Sequence, residues 1–368
     1  MASLSDLSND ILITIALLLS YCDLVRLATL CKTFHRLAVY VVQLQRRRDI
    51  PWLMDINRYT LQSNIFKSEL LDFQFNQSFS LSKIIGSQVR ELLYIGSVVA
   101  SKYGWLLITE SRFPTNPKYC FCSPLTNEII ELPPIGSDDY FIGATFSSPP
   151  TSSDCVVFLI CKRGLTKAKR NICSISTCNL RERRWTTYTS NVPPEAQIWE
   201  VAYVNGSFYC AFTDGSTVLL GTFNVALQDW TIVDYSSSIE IKPCDCVYLV
   251  DSDGELLLMV LRHHRFGRVY SVCHQFNRLR KDWTLIESLG NQVLFFSDKG
   301  SIVVPAVGVV SAFANMIVWL GLSTELKSST YKTEGRWKYH ELKTWNTTTL
   351  PIWIEPLYIL EKRSFLTG

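Results

Sequence analysis

No excess of charge of either sign marks this sequence. Its 36 lysines and arginines stand against 33 aspartates and glutamates, a net charge of +3 over 368 residues. That is too mild to demand a nucleic acid or an anionic membrane as partner. No Cys-x-x-Cys knuckle, HExxH helix, Walker loop or nucleophile elbow occurs, which leaves an enzyme reading only generic residues and predicts neither metal nor cofactor. The N-terminal apolar run in MASLSDLSNDILITIALLL is not preceded by basic residues; Asp6 and Asp10 sit there instead. A secretory signal is therefore not expected. Without export, the 12 cysteines read as reduced thiols serving as small buried hydrophobes, in the cytoplasm or the nucleus.

Long uncharged runs are almost absent as well. Ile302 to Leu322 is the one stretch of spanning length. Pro305, Gly308 and Asn315 interrupt it, valines crowd it and no basic cluster flanks it, so it predicts a buried pair of strands.

What the chain does hold is apolar surface to bury, 47% of its residues with 12% aromatic, far above a disordered composition. Its length suits a small module plus one large domain. Residues 1–45 read as the module. Ile11, Leu12, Ile15, Leu18 and Leu19 follow helical spacing behind a capping Ser8 or Asn9. Asp23 precedes a second periodic set at Leu24, Leu27, Ala28 and Cys31, and Phe34, Leu37, Ala38 and Val41 form a third. Three short helices of this size bury too little to stand alone, so the rest of the chain or a partner should cover part of their surface.

The run Leu7-Ser8-Asn9-Asp10-Ile11-Leu12, then Ile15, Asp23-Leu24-Val25-Arg26-Leu27 and Leu30-Cys31-Lys32-Thr33-Phe34 resembles an F-box. Ser8 and Phe34 stand where that family commonly has proline and tryptophan. The resemblance implies an adaptor-facing surface for a Skp-type protein and, through it, a cullin, with contributions from Leu7, Ser8, Ile11, Ile15, Leu24, Leu30, Cys31 and Phe34. Some of these could equally pack the helices together.

Residues 46–84 read as a connector, partly helical and docked through Trp52, Phe66, Leu70, Leu71, Phe73 and Phe75. From about residue 85 the pattern becomes short apolar segments between Gly, Pro, Asn and Asp, the mark of many strands and tight turns. The chain also repeats itself. Cys178-Asn179 to Trp185-Thr186, Phe223-Asn224 to Trp230-Thr231 and Phe276-Asn277 to Trp283-Thr284 align without gaps, and looser copies begin at Cys122 and at Lys343. Upstream glycine turns at Gly104, Gly206 and Gly254 add a hairpin to each unit, so one period holds about four strands. The Trp185 to Trp230 and Trp230 to Trp283 intervals, 45 and 53 residues, match the blade length of a propeller. An all-β propeller of six to seven blades over 85–360, with a tail at 361–368, is the expected architecture.

This stretch also resembles the β-propeller domain that accompanies F-boxes in a large plant family related to KIB-type proteins. The matching residues include Gly104-Trp105-Leu106-Leu107, Ser123-Pro124-Leu125-Thr126, Asn205-Gly206-Ser207-Phe208-Tyr209, Gly254-Glu255-Leu256-Leu257 and Ser288-Leu289-Gly290. Together the two resemblances imply the substrate-recognition subunit of an SCF-type ubiquitin ligase, itself without catalysis, holding a target protein on the propeller. The alternative is an adaptor-independent propeller scaffold with a degenerate F-box.

Other motifs have plainer readings. Cys120 with Cys122 and Cys244 with Cys246 would each share a strand face and pack. His263-His264 reads as a solvated loop, and Arg46 to Arg48, Lys162 to Arg170 and Arg181 to Arg184 as solvated basic clusters.

Overall fold

The structure is a computed structural model that describes residues 7–19, 23–24, 27, 30–45, 51–57, 67–72, 77–80, 85–110, 117–135, 140–163, 172–190, 192–193, 196–233, 239–243, 245–263, 269–297, 299–320, 325–331, 337–344 and 352–354. The expected tail at 361–368 and the Arg46 to Arg48 cluster lie outside these residues.

The N-terminal module is helical. Helix α1 spans Asn9–Leu17 and α2 spans Lys32–Gln45, and residues 23, 24 and 27 between them are helical too. Ser8 takes the N-cap position with extended backbone, but its hydroxyl caps no amide; its carbonyl accepts from Leu12 N at 3.1 Å. Leu12 and Ala16 form the buried face of α1, and Leu24, Phe34, Ala38 and Val41 are buried opposite them.

Residues 46–84 differ from the expected partly helical connector. Their described parts are strands β1 (Trp52–Asn57), β2 (Lys67–Asp72) and β3 (Gln77–Ser80), joined in one sheet by a strand from the far end of the chain, Ile352–Ile354. The helix lies later, as α3 (Ser87–Ile95), where Val89, Leu92 and Leu93 make one apolar face. The physical reason is ring closure: an edge left at the start of the ring needs a partner, and the C-terminal strand pairs Trp52, Leu53 and Met54 with Ile354, Trp353 and Ile352.

Three four-stranded antiparallel sheets follow. They are β4 (Ser97–Lys102) to β7 through β5 (Trp105–Thr109), β6 (Tyr119–Ser123) and β7 (Glu128–Glu131); β8 (Tyr140–Phe146) to β11 through β9 (Val156–Arg163), β10 (Ile172–Asn179) and β11 (Arg184–Thr189); and β12 (Gln197–Val204) to β15 through β13 (Ser207–Asp214), β14 (Thr217–Asn224) and β15 (Asp229–Val233). The last sheet has nine strands: β16 (Cys246–Ser252), β17 (Glu255–His263), β18 (Val269–Asn277), β19 (Asp282–Ile286), β20 (Gln292–Ser297), β21 (Gly300–Pro305), β22 (Met316–Leu320), β23 (Glu325–Tyr331) and β24 (Trp337–Thr344).

The described strands thus form five blades, not the six to seven expected from the repeat length. Fusion accounts for the difference. The outer edge of β18 is shared: Cys273 to Asn277 pair with β19, while Tyr270 and Ser271 pair with Lys338 and Trp337 of β24. One hydrogen-bonded sheet therefore absorbs two periods of the chain. The innermost strands β4, β8, β12 and β16 stand side by side, β16 meets β21 of its own sheet, and β21 and the strand Ile352–Ile354 both meet β4, which closes the ring. Ser101 ties that closure, its amide donating to Lys299 O at 2.6 Å and its hydroxyl to Trp353 O at 2.7 Å. Ile302 to Leu320 enters as β21, a 3-10 turn (Gly308–Phe313) and β22, with Ile302, Val304, Ile317 and Val318 buried. Among the described residues no helix is long and apolar enough to cross a membrane.

The repeat has a structural meaning. Each copy is a hairpin in the same register, Cys178 opposite Trp185, Phe223 opposite Trp230 and Phe276 opposite Trp283. The asparagine side chain builds the turn: Asn224 Oδ1 accepts from Ala226 N and Leu227 N, and Asn277 Oδ1 from Leu279 N and Arg280 N, all at 3.0 Å. Each turn then closes through one left-handed residue, Arg183, Gln228 or Lys281. The tryptophans pack into the seam between their own sheet and the one before it. The glycine turns carry two consecutive left-handed residues, Tyr103-Gly104, Asn205-Gly206 and Asp253-Gly254, the geometry that suits the twist of two-residue hairpins.

Candidate functional site

Helix α1 is apolar on both sides, and only one side is used internally. Ala16, Leu24, Ala38 and Val41 belong to one continuous core with Trp52, Met54, Val89, Leu93, Ile108, Cys122 and Ile354, so the helical module is welded to the propeller. The other side of α1 presents Ile11 and Ile15 to solvent, four residues apart on one helical stripe, with Leu7 exposed just before the helix and Leu18 at its C-cap. Ile11 is 49% exposed and Leu18 75%; Leu30, 70% exposed, follows the turn before α2. A folded chain gains about 1.5–3 kcal/mol by burying each such side chain, so a row of five left in water marks a surface built to be covered.

Of the eight residues expected to face an adaptor, Leu7, Ser8, Ile11, Ile15, Leu30 and Cys31 lie on this exposed side. Leu24 and Phe34 do not; they point into the chain's own core at 1% and 9% exposure and pack the module. Leu18, which is not among those eight, is exposed beside Ile15 at the C-cap of α1.

The propeller offers two further features. Its central channel is filled at one level by Lys102, which crosses from β4 to the far side of the ring. The ammonium lies 3.6 Å from Asp251 Oδ2, donates to Tyr203 O at 3.4 Å and sits over the rings of Tyr103 and Tyr203. The free space left there, about 30 Å³, admits about one water. The second feature is the rim formed by the hairpin turns. At the seam between β12–β15 and the nine-stranded sheet, Gly254 O accepts from Asn205 Nδ2 at 2.8 Å and from Arg278 Nη2 at 3.1 Å, and Arg278 covers the ring of Tyr209. A groove of about 350 Å³ opens beside this seam.

Of the basic clusters, only Arg181 to Arg184 has described side chains. Arg181 is paired with Asp154 at 2.7 Å, Arg183 donates to Glu131 O, and the side chains of Lys162 to Arg170 lie outside the description, as does that of His263 and the whole of His264. Cys120 and Cys122 share one buried face, and burial pushes both thiols up to about 12. Burial likewise raises Cys155 and Cys178 to about 11 and Cys273 to about 12; at such values the thiolate needed for reaction or metal binding is scarce.

The helical module, with one face covered and one exposed, is thus joined to a propeller whose channel is closed at one level. The F-box domain matches residues 4–42 and the KIB1-4 beta-propeller matches residues 77–335. The chain belongs to the KIB1-4 β-propeller family and carries an F-box. Similar proteins from Arabidopsis thaliana include F-box protein At4g00893, 26% identical over 73% of this chain and 66% of that protein, and F-box protein At1g49360, 24% identical over 95% and 72%. F-box/kelch-repeat protein At1g57790 is 24% identical over 80% of this chain and 76% of its own length. The chain thus spans just under two thirds of the first of these relatives.

Proposed function

We propose that this chain is the target-recognition subunit of an SCF-type ubiquitin ligase, binding a Skp-type adaptor, and through it a cullin, by the exposed stripe Leu7, Ile11, Ile15, Leu18 and Leu30. The observation that carries the reading is that this stripe stays in water while the other face of the same helix is consumed by the propeller core. The welding favours a rigid spacing between adaptor and target. Its contribution to reaction is proximity: a held target keeps its lysines at high effective concentration near a recruited conjugating enzyme, with no bond made or broken by this chain. On this reading the cysteines serve as reduced thiols in the cytoplasm or the nucleus.

The test is co-purification of the full chain with a Skp-type adaptor and its cullin, intact and as Leu7→Asp/Ile11→Asp. Both positions are exposed, so the variant keeps its fold and its melting temperature. Retention by the intact chain and a loss of at least about tenfold in the variant is the expected result, as for a charge placed in an apolar interface centre. Absence of binding by the intact chain would leave the adaptor-independent scaffold as the better reading, which the shared core between module and propeller already allows.

A further inference from the structure

We infer that the target is held, at least in part, by the turn Arg278-Leu279-Arg280-Lys281 and the groove beside it, and that the segment it takes is an acidic peptide carrying a leucine-sized apolar residue. The inference deepens the proposed function by naming the surface and the chemistry of its partner. Three observations carry it. First, Leu279 is 97% exposed and Leu227, on the corresponding turn of the preceding sheet, 75% exposed. Neither is required by the turn, whose shape comes from Asn277 or Asn224 and from a left-handed Lys281 or Gln228; the corresponding turn at Asn179 carries Arg181 and Glu182 instead.

Second, the tip is cationic. Arg278 is held by Gly254 O and Tyr209, whereas the exposed Arg280 and Lys281 have no ion-pair partner among the described residues. Their charges therefore remain available to carboxylates. Third, the groove of about 350 Å³ is lined by Glu255, Gln275, Phe276, Arg278, Leu279 and Thr284, which is room for a side chain, while the channel blocked by Lys102 offers about 30 Å³. A nucleic acid fits less well, because it would leave the exposed Leu227 and Leu279 unused.

The test uses the full chain and a fluorescein-labelled peptide of repeating Glu-Leu-Glu, followed by fluorescence anisotropy, with a Lys-Leu-Lys peptide, a Glu-Ser-Glu peptide and a single-stranded RNA as comparison probes. The expected result is binding of the Glu-Leu-Glu peptide alone, weakened at least about tenfold by Arg280→Glu/Lys281→Glu and by Leu279→Ser, and unchanged by Arg184→Glu at the start of β11 in another sheet. Each substituted side chain is exposed, so unchanged melting certifies the fold. No binding of that peptide, equal binding of the Lys-Leu-Lys peptide, or indifference to both variants would overturn the inference. RNA binding that falls with the charge reversal but not with Leu279→Ser would overturn it in favour of a nucleic-acid surface. Adaptor co-purification of the intact chain separates the two readings: no adaptor retained with peptide binding present sinks only the ligase reading, and adaptor retained with no peptide binding sinks only this one.

Discussion

Gly221 shows how a single position can be dictated by its neighbour. A Cβ built there would overlap the ring of Trp230, which sits on the diagonal of the β14–β15 hairpin. The aligned positions in the other copies, two residues before the anchor, are Ser176 and His274, so of the three copies this one alone places a glycine there. Gly221→Ala should destabilise by about 1–3 kcal/mol through overpacking, read as a lower urea midpoint, and Trp230→Leu in that background should recover part of the loss. If Gly221→Ala melts like the parent, the ring has another place to go.

At the level of the element, the recurrent hairpin is an asparagine device. Its side chain replaces a backbone acceptor for two amides that the turn would leave without partners. Asn224→Ala should therefore cost about 1–2 kcal/mol and lower the urea midpoint with little change in slope. Helix α1 obeys a different economy. Its two apolar faces make it indistinguishable by composition from a buried helix, and only the propeller packed on one side reveals which leucines and isoleucines remain for a partner. The same packing explains why Leu24 and Phe34, which match the F-box pattern as well as Leu7 or Ile11 do, end in the core.

Across the whole molecule, stability resides in the seams between sheets, and one seam is sensitive to pH. His274 lies on β18, on the same strand face as Phe276; burial, aided by the charge of Arg262, lowers its pKa to about 4, and its Nδ1 has no hydrogen-bond partner among the described residues. In the unfolded chain the ring titrates near the ordinary histidine value of about 6.5. Between those values the unfolded state binds the extra proton, so stability is complete above about 6.5 and declines as pH falls toward 4. Urea midpoints at pH 7 and pH 5 should differ in that direction for the parent and differ less for His274→Ser. An equal pH response in the two proteins would show that other groups govern it.

Local chemistry alone determined much of this protein. Helical spacing in the first 45 residues, the glycine turns and the asparagine-to-tryptophan interval are short-range patterns, each enforced by backbone geometry within a few residues, and each stands in the structure at its expected register. The blade count, the strands within 46–84 and the division of the F-box apolar residues between core and surface were decided by tertiary structure. They depend on contacts between distant segments: Trp353 pairing with Leu53, Tyr270 meeting Lys338 across the shared edge of β18, and Val89 and Leu93 covering one side of the module. Spacing along a chain reports the period of a repeat, whereas which edges meet is settled only when the ring closes and every exposed strand and apolar face must find its cover.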